Sequence, residues 1–399
     1  LNNNQPKFFI DDLFFDELKP LPWHLPLDEW KPDEVDFIDF RKGLSRHTVR
    51  FIKGKNASFA IKETTELKAK QESDNFEKIL KLGLHTLIPV GYVVYDRPPI
   101  QIQTPIGTNY IRDESAFIIT LLENKALPDS YLYKLNFKEV HRKRIWHAVA
   151  ELLASLHFHG VYWGDASLAN ILVRFFKVRD EKGRVRTELK AILADAETVE
   201  ILPDISPEMR KQDLDFFFES MTWLNEDYIN AGITREKFST TDDKKFILKN
   251  YNRHYKLLRK IRSFEKKTGL EVRRNFKIVK DIRFITSVKK QIDEHKWYLS
   301  ERAGREISLK TAAFDWLKHV YFPILDEFEK LNIFEYFPFK TSTGLYVDIM
   351  THKYFLSEKK GMDIGIEQAI KDYTEKFASD KSFTDLVSSR IKRITKLFY

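Results

Sequence analysis

The sequence predicts an α+β fold: two lobes built one after the other, then a mainly helical C-terminal region carrying a tandem repeat. Three observations carry this expectation. Residues up to about 122 alternate short apolar strands, such as Phe59-Ala60-Ile61-Lys62, with one amphipathic helix over residues 65–82. A long helix from Phe137 to His157 then runs into a polar loop and a short apolar strand, Ala191-Ile192-Leu193. Beyond residue 230 helical periodicity takes over, and a pattern of 22 residues recurs at an offset of 57. The expected divisions are an arm over residues 1–32, a first lobe over 33–123, a second over 124–230, and a basic helical region over 231–399.

Composition sets the outer limits. With 399 residues, 43% of them apolar and 14% aromatic, the chain has ample material for two or three cores. It has no Cys, which excludes disulfides, thiolate metal sites and a cysteine nucleophile, and fits a reducing cytoplasm. No apolar run reaches the ~18 to 20 residues that a membrane-crossing helix needs, so no transmembrane segment is predicted.

Residues 1–32 combine the aromatic pairs Phe8-Phe9 and Phe14-Phe15 with a proline-rich turn from Pro20 to Pro26. Prolines remove donors and fix the backbone, so an extended arm strapped down by its aromatics is expected, without chemistry of its own. Residues 37–49 read as a strand, a turn over Arg41–His47 and a second strand. In that turn Gly43 allows close backbone approach to an anion, and Ser45, Arg46 and His47 add side-chain donors. Strand alternation puts Ala60 and Lys62 on one face. In the following helix Glu72, Phe76, Ile79 and Gly83 share a face, so Glu72 lies beside the packing stripe and is the carboxylate expected to meet Lys62, with Glu77 as the alternative. Strands over Pro89–Tyr95 and Phe117–Leu122 lead into a linker, Leu122-Glu123-Asn124.

The helix ending at His157 has Ile145, Val149, Leu152, Leu153 and Leu156 on its core face, and His157 reads as a packed histidine. It delivers the stretch His157–Val173, HFHGVYWGDASLANILV, in which Asp165 and Asn170 stand five apart. In phosphoryl transfer an Asp at this spacing orients the attacking hydroxyl and takes its proton, while the Asn turns its amide oxygen to a magnesium ion. Downstream, Asp195 ends a short strand in the place of the Asp-Phe-Gly magnesium ligand, a role suited to carboxylate oxygen. Upstream, Lys62 stands where a kinase keeps its phosphate-gripping lysine. Ala60 would roof the adenine, and backbone groups around Glu123 would meet its edge. Each piece alone is common as a polar turn, a surface lysine or a strand cap. Lys62, Asp165, Asn170 and Asp195 in this order predict a protein-kinase-like fold that takes ATP and magnesium.

With these motifs the chain resembles bacterial kinase-like proteins of uncharacterised function, related to the lipopolysaccharide kinases and the RIO-type kinases. The residues that carry the resemblance are Gly43-Leu-Ser-Arg-His47, Trp163-Gly-Asp-x-Ser167-x-x-Asn170 and the Asp-Ala-Glu at Asp195 to Glu197. It spans residues 20–225 strongly and the remainder loosely. It implies the kinase-like fold and a nucleotide site, and no particular acceptor. In kinase-like folds an Asp after this point holds the catalytic-loop backbone, and Asp213 is assigned to that role.

Departures from the protein-kinase pattern narrow the substrate. Trp163-Gly164 replaces the His-Arg that pairs with a phosphorylated activation loop. Ser167 stands where protein Ser/Thr kinases carry a phosphate-neutralising Lys. Only about a dozen residues separate Asp195 from the next helix, without the Ala-Pro-Glu of a peptide cradle. A hydroxyl on a small molecule, glycan or lipid head group fits better than a protein. The segment from Phe175 to Leu189 reads as a hairpin insertion turning at Asp180–Gly183. Retention of Lys62, Asp165 and Asp195 disfavours a pseudokinase scaffold.

Residues 244–296 hold 18 Lys or Arg against five acids, a net charge of +13 in a chain of net +8. Lys249, Arg253, Lys256 and Lys260 form one helical stripe, and Leu248, Tyr251, Tyr255 and Leu258 another. The basic stripe reads either as a solvated face or as a footprint for nucleic acid, a ribosome or an anionic surface. Trp297–Lys318 aligns without gaps to Tyr354–Glu375, with seven identities in 22. Each copy is expected to be a short helix stopped at a Gly, a turn and a longer helix. Helix-turn-helix DNA reading and a doubled packing unit both remain open for it.

Overall fold

The computed structural model describes residues 5–40, 47–96, 100–104, 107–111, 114–123, 125–135, 138–179, 185–276, 279–337 and 340–378, and mixes helices with antiparallel sheets. The chain divides into two units, residues 1–177 with 187–255, and residues 178–186 with 256–399.

In the first unit, strands β1 (Lys7–Ile10), β2 (Val49–Lys53), β3 (Ser58–Thr64), β4 (Pro89–Asp96) and β7 (Glu114–Leu121) form a sheet in the order β1-β4-β7-β3-β2. Strands β5 (Ile100–Thr104) and β6 (Gly107–Ile111) pair with each other as a hairpin between β4 and β7. The central strand β7 is antiparallel to both β3 and β4, and its residues Ser115 to Thr120 are all buried. Side chains alternate across a strand, so Phe117 and Ile119 face one core while Ala116 and Ile118 face another. The first of these cores is closed by the arm. Trp23 and Trp30 pack edge to face at 5.2 Å, and both lie against Phe117. The arm is thus structural, with β1 as the sheet's edge strand. Where the sequence predicts a first strand from Phe37, an isolated bridge to Ile52 forms instead, with Ile38 N–H donating to Phe51 O at 2.8 Å.

Helix α1 (Glu66–Lys81) covers the other face through Ala69, Phe76 and Ile79. That core continues into helices α2 (Glu139–Phe158), α3 (Pro207–Asn230) and the first half of α4 (Thr241–Thr268), which supply Trp146, Leu153, Phe217, Met221, Ile247 and Tyr251. Helix α3 starts on a sequence signal, Ser206 accepting from Met209 N–H ahead of Pro207. Short strands finish the unit: β8 (Ala126–Pro128), β9 (Val161–Tyr162), β10 (Ile171–Arg179), β11 (Val185–Leu193) and β12 (Glu200–Ile201). β10 lies between β8 and β11, and β9 pairs with β12.

The second unit has its own core around Phe264, Phe284, Trp316, Tyr321 and Tyr346. Its main helices are α5 (Ile282–Ala303), α6 (Leu309–Trp316), α7 (Phe322–Lys330), α8 (Ser342–Lys360) and α9 (Gly365–Phe377), with a π-helical segment Leu317–Tyr321 between α6 and α7. The hairpins α5–α6 and α8–α9 make matching contacts at an offset of 57. Gly304 and Gly361 end their helices at φ 62° and 66°, a conformation open to residues without a Cβ. Ser300 Oγ accepts from Ile307 N–H at 3.0 Å, as Ser357 Oγ does from Ile364 N–H at 3.3 Å. His295 pairs with Asp315 at 2.7 Å, and His352 with Asp372 at 2.6 Å. Lys296 reaches Glu306 at 2.7 Å, and Lys353 reaches Asp363 at 2.6 Å. The expected helix lengths are corrected. The helix before each Gly is not short, at 22 and 19 residues, because each starts well upstream of the alignable segment, capped by Asp281 and by Thr341.

Candidate functional site

Lys62 is the hub of the site. It sits on β3, opposite Ile118 of β7 on one side and Val49 of β2 on the other, so the sheet fixes its direction. Its Nζ donates to Glu72 Oε2 at 3.0 Å and to Asp195 Oδ2 at 2.9 Å, with Glu197 at 3.6 Å. Burial alone would lower the lysine pKa, but the Glu72 and Asp195 carboxylates outweigh it and hold the ammonium above its usual range. Glu72 is almost fully buried on α1. Burial, aided by repulsion from Asp195, pushes its carboxyl up to about 7 against the pull of Lys62. Glu77, the alternative by sequence, is exposed and pairs with Lys81 at 3.1 Å.

The loop after α2 is pinned from below. Asp213 of α3 accepts from the N–H groups of Trp163 and Gly164, both at 2.8 Å. The same carboxylate meets His157 Nε2 at 3.1 Å, and His157 Nδ1 meets Tyr251 Oη at 2.7 Å. These buried groups satisfy one another, so the loop rests on a polar network rather than on apolar packing alone. Gly164 at φ 78° turns the chain above Asp213, beside the carbonyl of Thr198. Thr198 Oγ1 donates to Trp163 O at 2.8 Å, and Trp163 Nε1 to Asp195 O at 3.0 Å. Asn170 Nδ2 donates to Asp165 O at 3.1 Å and to Asp165 Oδ2 at 3.2 Å.

These elements border a cavity of about 420 Å³, lined among others by Ala60, Lys62, Thr120, Leu122, Asn170 and Asp195. Leu87, Leu172 and Pro128 give it apolar walls, and Arg50, Lys62, Glu123 and Asp195 are its charged lining.

Of the residues singled out by sequence, Lys62, Glu72, Asn170 and Asp195 come together, with Asp165 bonded to Asn170. His47 also lines the cavity and lies 3.5 Å from Glu197; burial, aided by Lys62, holds its imidazole below the usual histidine range. Glu123 lines the same cavity, its carboxylate paired with Arg174 and accepting from Lys125 N–H. Gly43 and Ser45 lie outside the described residues.

Two residues of the site had no role assigned from sequence. Glu197 bonds Lys68 at 2.6 Å besides facing His47 and Lys62, and Asn75 donates from α1 to Ala196 O and Val199 O, both at 2.9 Å. Asn75 stands three residues from Glu72, on the same helix face, which is the one signal that could have found it. Glu197 stands two past Asp195, in the turn that follows β11. Oxygen donors from Glu72, Asp195 and Glu197 come within 4.8 Å of one another. The carboxylate oxygens of Asp195 and the amide oxygen of Asn170 would be hard donors of the kind a magnesium ion takes.

Comparison with known proteins gives remote likenesses. A family model described as "Domain of unknown function (DUF4032)" matches residues 308–378, all within the second unit. No curated protein matches the chain. Among solved structures, WaaP in complex with acyl carrier protein superposes with a TM-score of 0.35 at 17% identity, over 58% of this chain and 83% of that one. The Rio2 kinase from Chaetomium thermophilum, in its ADP/Mg2+-phosphoaspartate complex, gives 0.30 at 13% identity, over 56% and 71%. The Rio2 kinase of the same organism in a second structure gives 0.31 at 15%, over 53% and 62%. At such scores the reading of the site rests on its own side chains. Among the described residues no helix is long and apolar enough to cross a membrane.

Proposed function

We propose that this chain is an ATP- and magnesium-dependent phosphotransferase of the kinase-like superfamily, with a two-lobed kinase-like first part and a duplicated helical hairpin in its second. The observation that carries the reading is Lys62, held between Glu72 and Asp195, lining a cavity that Asp195 and Asn170 also line. Lys62 binds the nucleotide phosphates, and Glu72 keeps its ammonium aimed. Asp195 and Asn170 hold the magnesium ion, which when bound neutralises phosphate charge. Asp165 orients the acceptor hydroxyl and takes its proton as the new O–P bond forms and the bond to the leaving ADP oxygen breaks. Positioning and charge neutralisation supply most of the acceleration. The acceptor is a hydroxyl on a small molecule, glycan or lipid head group, since Ser167 replaces a phosphate-neutralising lysine and no peptide cradle follows Asp195.

The test is calorimetric titration of ATP with magnesium into the full chain and into Asp195→Ala, with turnover followed in parallel. Binding in the first, lost by at least tenfold in the second, with turnover or autophosphorylation down by about 10²-fold or more, is the expected result. Absence of nucleotide binding to the unsubstituted chain with any divalent cation overturns the reading.

A further inference from the structure

Helix α4 continues into the second unit as the stretch from Lys256 to Thr268, and its two sides there differ sharply. Ile261 and Phe264 pack into the second core. On the outer side Lys256, Arg259, Lys260, Lys266 and Lys267 are exposed, and Arg273 continues the row past the helix end. None of the six is bonded to a carboxylate among the described residues, although surface lysines elsewhere on the unit pair freely, as Lys289 does with Asp293 and Lys371 with Glu367. Glu265, the one acid on this stretch of helix, is turned to a backbone donor, Val272 N–H at 2.9 Å. A row of like charges without counter-charges costs self-repulsion, which an anionic partner relieves.

A second observation lies at the end of the row. Gly269 terminates the helix at φ 72°, and the ring of Phe314 and the stem of Lys310 lie over it. Phe314 is 53% exposed, an aromatic face beside the cations.

We propose that this face binds single-stranded nucleic acid, with Lys256, Arg259, Lys260 and Lys267 along the phosphates and Phe314 stacking on an unpaired base. Lys256 and Lys260 stand about one helical turn apart, roughly 6 Å, and Lys267 follows about two turns further on, so the cations extend along about three turns of one helix side. Stacking on Phe314 needs an unpaired base, which favours a single strand over a duplex. A membrane surface would call for apolar side chains along the row, and between Lys256 and Lys267 the exposed residues are Lys, Arg and Ser.

The experiment is fluorescence anisotropy of labelled oligouridylate RNA and oligothymidylate DNA with the full chain, across a salt series. Four or five phosphate contacts give a log–log salt slope of about −3. The triple variant K256E/K260E/K267E should lose at least tenfold in affinity, and Phe314→Ala about tenfold. Preference for one oligonucleotide over the other identifies RNA or DNA as the natural source. All three substitutions fall on exposed lysines, so the fold is retained, and the salt slope of the unsubstituted chain is an independent readout. No binding at about 50 mM salt, or binding indifferent to the triple variant, overturns the proposal. So does phosphatidylserine-vesicle binding as tight as oligonucleotide binding with no effect of Phe314→Ala, which would assign the face to membranes.

Discussion

Lys62 and Lys256 carry the same charge in opposite settings. Lys62 lies mostly buried among three carboxylates held by two elements: Glu72 by α1, Asp195 and Glu197 by the segment after β11. Lys256 stands exposed in a row of cations with no carboxylate partner. In the first setting a low local dielectric makes every missing partner costly, so the charge acts through position. In the second, water screens each charge, and only their sum over a surface has an effect.

Removing one charge from each place is the strongest way to break this comparison. Lys62→Ala leaves Glu72 buried without its cation and should destabilise the chain by about 3 kcal/mol, while abolishing nucleotide binding. Lys256→Ala should stay within about 0.5 kcal/mol of the unsubstituted chain. Urea denaturation of both variants checks this, and similar losses would mean that enclosure is not what separates the two lysines.

A buried carboxyl without a cation beside it sharpens the contrast. Asp129, at the end of β8, is fully buried, and neither of its oxygens makes a hydrogen bond of ordinary geometry, although Tyr133 lies near enough to ease it in part. Burial raises its carboxyl to about 8. Its folded pKa exceeds the unfolded one, so its contribution to stability is complete below about 4 and is lost as pH rises through about 8. Asp129→Asn should therefore flatten the fall in stability between pH 5 and pH 8, by at least about 1 kcal/mol over that interval. Urea midpoints at the two pH values decide it; an unchanged slope would place the titration elsewhere.

The smallest expected effect tests the paired hairpins. The hydrogen bond from His295 holds the Asp315 carboxyl below its usual range, and His352 stands to Asp372 in the same way, though there Lys376 acts more strongly. Each carboxylate is partly exposed, so His295→Ala and His352→Ala should each cost only about 1 kcal/mol, alike within a few tenths. Thermal unfolding of the two variants compares them directly, and a loss confined to one would show that the matching contacts are not energetically equivalent.

How much of this was legible beforehand varied with distance along the chain. Helix α1 was readable because its apolar side chains recur at the helical period, and that period already placed Glu72 beside the packing stripe. The position of Gly304 and Gly361 at helix ends was readable for a local reason too, since a helix closes most cheaply on a residue without a Cβ. The arm was less so: its tryptophans were visible, but β1 joins a sheet through partners some 80 residues away, Lys7 opposite Val94. Asn75 and Glu197 had no role assigned from sequence, because a polar residue on a helix face or in a turn carries no mark of what will fold against it.

The sequence by itself determined the elements, the order Lys62, Asp165, Asn170, Asp195, the offset of the paired hairpins and the excess of positive charge. Periodicity, capping and composition are local properties, and they are complete in the chain as written. Only the tertiary structure decided that Lys62 meets Glu72 and Asp195, that His157 and Tyr251 close a network on Asp213, and that Asp129 loses its water. Such meetings join residues from 10 to 133 positions apart, and they depend on how packed elements are rotated and brought together.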